Sequence, residues 1–347
     1  MKELVNNMKY IEYEKLGLKI SKVGLGGIPI QNESSETAKE VIDACIGEGI
    51  NYIDSARAYR DSEKLIGEAI KGRRDKFILA TKSGAKTYEE MKKDIEISLE
   101  NFQTDYIDIY QLHNPKRDTF PICMGEGGAY SALVEAKNEG KIGHIGITNH
   151  SLDLLNELLE KGYFDDGTFE SLMFPFNILE EQGRELFKKC NEKGILSIVM
   201  KPVAGGVIDD KMLAIKYLLN EECGILIPGM KNTSEVKENS YLINNGYSKL
   251  NKEELEKIDA IRKEIGNDFC RRCGYCAPCT KGIDIANCFV YELYYKKYNL
   301  KDWAKERYKN MKAHASDCIE CGACMKRCPY ELNIIEKLKG VRKTFGE

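Results

Sequence analysis

NYIDSARAYRDSEKLIGEAIKGRRDKFILATKSG, residues 51–84, reads as one complete strand–helix–strand unit. NYID (51–54) and FILAT (77–81) are short apolar runs rich in β-branched and aromatic residues. The amphipathic stretch SEKLIGEAIKG lies between them. The same alternation continues outward on both sides. Further apolar runs stand at VGLGG (23–27), YIDIY (106–110), IGHIGIT (142–148), SLMF (171–174), ILSIVM (195–200) and GILIP (224–228). Helical patterns such as SETAKEVIDACIGEG, YEEMKKDIEISLENF and LDLLNELLEKG separate them. Such alternation specifies parallel βαβ units, and continuous apolar runs suit strands buried on both faces. Eight pairs in roughly 225 residues predict an α/β chain closed into a (β/α)8 TIM barrel. An open doubly wound sheet is the competitor, but no G-x-G-x-x-G follows the first strand. Ahead of the barrel, KYIEYEKLGLKISK alternates about Leu16–Gly17 like a hairpin and is suited to plug the barrel floor. Behind it, NKEELEKIDAIRKEIG reads as a helix leading out of the barrel.

The last quarter has a different character. Nine of the 13 cysteines fall there, eight of them in two runs: Cys270, Cys273, Cys276, Cys279 and Cys318, Cys321, Cys324, Cys328, the last followed by Pro329. Triplets at C-x2-C-x2-C with a more distant fourth cysteine are the ligand pattern of a cubane iron–sulfur cluster. Zinc ribbons use separated C-x2-C pairs and have no need of triplets. In two-cluster ferredoxins the fourth cysteine of each run serves the other cluster. Two 4Fe–4S clusters are therefore expected, one on Cys270, Cys273, Cys276 and Cys328, the other on Cys318, Cys321, Cys324 and Cys279. The first run is irregular, with Thr280 where the second has Pro329, and Cys288 is the alternative to Cys279. The sequence divides into a barrel domain at 1–265 and a small, mainly helical, ferredoxin-like domain at 266–347. The Tyr-rich segments IANCFVYELYYKKYN and LKDWAKERYKNMKAH read as two helices packing around the clusters. Of the scattered cysteines, Cys45 and Cys190 read as small core residues, and Cys123 falls in a loop pattern, TFPICMGEGG, open to solvent.

A net charge of −3 gives no reason to expect nucleic acid as a partner, and no apolar run approaches the ~20 residues of a membrane span. The polar N-terminus carries no apolar core of a signal peptide, so the expected location is the cytoplasm, where dense cysteine favours metal over disulfides.

In barrels of this kind chemistry sits where the strands end. The second run ends in Asp54, with Tyr59 five residues on; the third ends at Lys82 and the fourth at His113. An Asp–Tyr–Lys–His set suits carbonyl reduction. Hydride addition makes a developing alkoxide that needs a proton; a cation beside a tyrosine makes the phenol a better donor. Asp54 would fix Lys82, and His113 would orient the substrate oxygen or share the proton transfer.

These motifs resemble the aldo-keto reductase superfamily. The resemblance rests on NYIDSARAYRDSE with LIGEAI, FILATKSG, DYIDIYQLHNP, GKIGHIGITNHS, IVMKPVAGG and IPGMKNTSEVKEN, over residues 8–245. With CRRCGYCAPC in the tail, the chain is similar to the microbial branch with a C-terminal 4Fe–4S ferredoxin-type domain. The resemblance implies a catalytic tetrad of Asp54, Tyr59, Lys82 and His113, and NADP(H) bound without a Rossmann fold. It assigns the carboxamide to Thr148 and Asn149, and the adenosine phosphate end to Gly229, Met230, Lys231, Ser234 and Asn239. Lys231 and the N-terminus of the last barrel helix would both favour a phosphate. Three positions depart from many relatives: Met173 replaces a Gln at the sixth strand, Met200 replaces an aromatic in the seventh, and Arg60 replaces the Gly after the tyrosine.

Three functions are expected in order. The first is NADPH-linked reduction of a small aldehyde or ketone, or oxidation of the alcohol. The second is a reductase fed by ferredoxin or another electron-transfer partner through the clusters, because nicotinamide gives two electrons and a cluster takes one. The third is a redox-sensing or partner-binding module.

Overall fold

The computed structural model describes residues 4–5, 10–266, 268–298 and 300–347. The chain forms two compact units, residues 1–251 and 252–347.

In the first unit all eight predicted apolar runs are strands: Leu25–Gly26, Tyr52–Asp54, Ile78–Ser83, Ile107–His113, Ile142–Thr148, Ser171–Pro175, Leu196–Met200 and Ile225–Ile227. Each pairs in parallel with its neighbours in sequence. The two ends of the sheet then meet. Gly24 N–H donates to Leu226 O at 2.8 Å, Gly26 N–H to Pro228 O at 2.9 Å, and Leu226 N–H to Lys22 O at 2.9 Å. Those bonds close the barrel and leave it no open edge. Helices stand between the strands, started by side-chain caps at Ser34, Thr87, Ser151, Asp210 and Asn232. Thr87 forms a full capping box with Glu90.

Inward-facing side chains follow the period of two along each strand. Tyr52, Ala80, Ile109, Met173, Leu196, Ile198, Met200, Ile225 and Ile227 belong to one buried apolar cluster. Tyr13 and Ile20 join it from the N-terminal hairpin, strands Tyr10–Tyr13 and Leu18–Ser21, so the hairpin fills one end of the barrel as expected. Cys123 departs from expectation. It lies in a short helix, Phe120–Met124, whose Phe120 and Cys123 turn inward one helical turn apart, leaving Cys123 2% exposed.

The second unit is helical: Lys252–Ile265, Ile285–Lys297, Lys301–Lys309, Ala323–Arg327 and Ile334–Phe345. Its core gathers Ile283, Ile285, Phe289, Leu332, Ile334, Leu338 and Val341 with several cysteines. The tyrosines depart in part from the expected packing around the clusters: Tyr291 and Tyr308 lie with the cysteines, but Tyr294, Tyr295 and Tyr298, with Tyr291, pack against Leu300, Trp303 and Ala304 in a cluster without cysteine, and Tyr308 stacks on Phe345 at 4.1 Å.

Candidate functional site

The period of two also builds the barrel mouth. One step beyond the apolar layer, the inward positions of strands two, three, four and five become Asp54, Lys82, Gln111 and Thr148. Lys82 is 1% exposed, and its ammonium is paired with the Asp54 carboxylate. The Lys82 Nζ also donates to Ser55 O at 2.7 Å. Burial pushes the Asp54 carboxyl up and the Lys82 ammonium down, while their mutual attraction opposes both shifts. Tyr59 comes from the loop after the second strand. Lys82 Nζ sits 5.2 Å from the centre of the Tyr59 ring, and Tyr59 meets His113 edge-on at 6.2 Å between ring centres. His113 keeps an edge open to solvent. Loss of water around the ring, with the positive charges of Lys82 and Lys201, nonetheless pushes its pKa down to about 3. All four predicted catalytic side chains are therefore brought together.

The Tyr59 loop is held from beneath. Ser62 Oγ donates to Gly27 O at 3.0 Å, and Ser55 and Ser62 hydroxyls bond at 2.9 Å. Gly27 is required there, because a Cβ would lie 2.8 Å from Asp54 O. Arg60 has φ +35°, a left-handed conformation that a glycine at this position adopts without strain.

Two buried polar residues escaped the sequence reading. Gln111, 0% exposed, ties the tetrad to the nucleotide candidates: its Nε2 donates to Asp54 Oδ2 at 3.4 Å, and its Oε1 accepts from Thr148 Oγ1 at 2.8 Å. Glu63, also 0% exposed, lies behind the third strand and accepts from Thr81 Oγ1 (2.7 Å), Ser98 Oγ (2.9 Å) and Arg57 Nη1 (2.5 Å). Gln111 alternates in step with Ile109 and His113, and that period was the one available signal; Glu63 in LIGEAI's flank looks like any helix carboxylate.

The nucleotide candidates fall in two groups. Thr148 and Asn149 are both 2% exposed at the end of the fifth strand. Thr148 Oγ1 also approaches Met173 Sδ at 3.6 Å, and Asn149 Nδ2 donates to Pro115 O at 2.8 Å. Gly229, Lys231 and Ser234 are exposed at the end of the eighth strand and the start of helix Thr233–Asn245, whereas Met230 and Asn239 are buried. The helix N-terminus is not open to a phosphate alone: Glu235 accepts from Lys231 N–H at 2.9 Å and pairs with Lys211 at 3.3 Å. Asn239 fits a ligand, since its buried Oδ1 has no hydrogen-bond partner and can accept from a base amine.

In the second unit the cysteines line two cavities. Cys270, Cys273, Cys276 and Cys328 line one, and Cys279, Cys318, Cys321 and Cys324 line the other. Cys288 lines neither and is fully buried in the helical core. Among the described residues, no three His, Cys, Asp or Glu side chains gather closely enough to hold a single metal ion. Four thiols lining one cavity match the four iron corners of a 4Fe–4S core.

Residues 22–213 match the Aldo/keto reductase family and residues 269–333 match the 4Fe-4S dicluster domain. YqkF, an uncharacterized oxidoreductase of Bacillus subtilis, is 33% identical over 57% of this chain and 67% of its own. An aldo-keto reductase from Bacillus halodurans, in its holo form, is 27% identical over 73% of this chain and 96% of its own, with a TM-score of 0.62. An aldo-keto reductase from Klebsiella pneumoniae, in complex with NADPH, covers 75% of this chain and 95% of its own at 22% identity and a TM-score of 0.58. Matched over more than half its length, the chain belongs to the aldo/keto reductase family of oxidoreductases and carries a 4Fe–4S dicluster domain C-terminal to its barrel.

Proposed function

We propose that the barrel, assigned to residues 1–265, uses NADP(H) to reduce a small aldehyde or ketone, or in reverse to oxidise the alcohol. The observation that carries this reading is the run of contacts at the mouth: Asp54 to Lys82, Lys82 over the ring of Tyr59, and Tyr59 edge-on to His113. A bound reduced nicotinamide supplies a hydride to the carbonyl carbon. Tyr59 gives the proton to the oxygen as it becomes an alkoxide. Lys82 stabilises the tyrosinate left behind, and Asp54 keeps Lys82 charged and in place. His113, neutral at working pH, orients the carbonyl oxygen as a hydrogen-bond donor and does not act as an acid. The unpartnered Oδ1 of Asn239 and the NADPH of the Klebsiella neighbour support the choice of cofactor. Tyr59→Phe tests the reading: carbonyl reduction should fall by about 10²–10⁴ with NADPH binding retained, and unchanged turnover would defeat it.

The two four-cysteine cavities favour a second reading, in which residues 266–347 hold two 4Fe–4S clusters and a ferredoxin-linked supply of electrons replaces NADPH. Turnover with reduced ferredoxin but not NADPH would support it, and turnover unaffected by cluster removal would eliminate it.

A further inference from the structure

Residues 266–347 carry 16 Lys and Arg against 10 Asp and Glu, in a chain whose net charge is −3. Three of these cations stand at the cavity of Cys279, Cys318, Cys321 and Cys324. Lys281 and Arg327 line it, and these two and Lys326 are exposed. The cavity is also where sulfur and apolar surface reach solvent. Cys321 is exposed, the only one of the eight cysteines in the two runs that is. Ile319, on the same rim, is 58% exposed. The other cavity opens differently: its four cysteines are at most partly exposed, and Arg271 is stacked over Tyr330 at 4.0 Å.

An exposed apolar side chain beside several exposed cations is the composition of a transient protein interface. The apolar side chain excludes water on contact, and the cations steer the encounter without binding tightly. A nucleic-acid backbone would use the charge but not the exposed isoleucine; Glu320, the neighbour of Ile319, is paired with Lys339 at 3.4 Å.

We propose that Ile319, Cys321, Lys281, Lys326 and Arg327 form the docking surface for an acidic one-electron carrier protein, and that the cluster on Cys279, Cys318, Cys321 and Cys324 is where its electron enters. The proposal rests on reading that cavity as a cluster site. The step balances simply: the reduced carrier loses one electron, the oxidised cluster gains it, no bond is made or broken and no proton moves.

The test uses the whole chain, purified without oxygen and with iron counted. Stopped-flow mixing with a reduced acidic bacterial ferredoxin should give a second-order rate of cluster reduction that falls steeply with salt. Lys281→Glu/Lys326→Glu should hold full iron and lower that rate by about tenfold or more at low salt. Ile319→Asp should weaken ferredoxin binding measured by calorimetry. Reduction by methyl viologen radical, a small cation, should not slow in the double variant. A rate indifferent to salt and to the double variant, with iron complete, overturns the docking surface alone. Slowing of the viologen reaction in parallel also overturns it, because the substitutions would then be acting on the cluster. Displacement of ferredoxin by a short oligonucleotide at equal concentration would assign the surface to nucleic acid instead. A chain that holds no iron overturns the cluster reading and the proposal together.

Discussion

Lys82→Met keeps roughly the length of a side chain that is 1% exposed and removes its charge and its hydrogen bond to Ser55 O. Asp54, 3% exposed, would lose its ion pair and keep one long hydrogen bond from Gln111 at 3.4 Å. Breaking a buried pair from one side costs about 3–5 kcal/mol, because the remaining charge is buried without a partner. For a unit of this size each kcal/mol lowers Tm by roughly 2–4 °C, so the drop should be roughly 6–20 °C. Adding Asp54→Leu removes the orphaned charge and should restore most of that loss, since an apolar replacement for a buried pair is often neutral within about 1–2 kcal/mol. Activity should behave oppositely. If Lys82 stabilises the tyrosinate, NADPH-dependent carbonyl reduction should fall at least about 10²-fold in the single variant and stay there in the double. Thermal unfolding followed by circular dichroism and steady-state kinetics on the same samples read both quantities. A single variant that loses under about 1 kcal/mol, or a double variant that regains turnover, would refute the reasoning.

Acid stability should report His113. The unfolded chain takes up a proton there near pH 6.5, the folded chain only near 3, so the native advantage is full above pH 6.5 and is lost as pH falls toward 3. In urea titrations across that window, His113→Asn should flatten the slope, and an unchanged slope would count against a half-buried neutral imidazole. Cys279→Ser should remove about four iron atoms, whereas Cys288→Ser should leave the iron count intact; the reverse would exchange their roles. Gly67→Ala would drive a Cβ into Asn101 O and the Phe102 backbone, which cannot move aside, and should cost toward the upper end of about 1–3 kcal/mol by chemical denaturation. Arg60→Gly should gain about 1 kcal/mol by relieving the left-handed conformation, and any loss would show that the arginine side chain makes compensating contacts.

The barrel was legible in the sequence because each strand is a short, mostly apolar run, and the mouth because a polar or titratable residue stands at or near the end of several: Asp54, Lys82, His113 and Thr148. The two cysteine sets were legible because spacing within each run confines three sulfurs to one turn of chain. What did not show was whatever depends on packing between distant elements. Glu63 draws its partners from Arg57, Thr81 and Ser98, and nothing local marks it as buried. Glu235 likewise accepts from the backbone of Lys231, at the helix terminus expected to favour a phosphate. Cys123 was misread because Gly and Pro around it signal a loop, while one helical turn is enough to bury it beside Phe120.

The bonds that join residues 24–26 to residues 226–228 also impose an order on biosynthesis. Until the ribosome has passed residue 228, the strands form an arc with two exposed edges. Tyr13 and Ile20 then still wait for Ile225 and Ile227 to complete the floor they rest on. A nascent chain released between residues 113 and 228 keeps its tetrad residues but has unpaired edges prone to aggregation. One released just beyond it can close the vessel with no cysteine run yet made. The order of the chain thus lets the barrel close before either cysteine run is made.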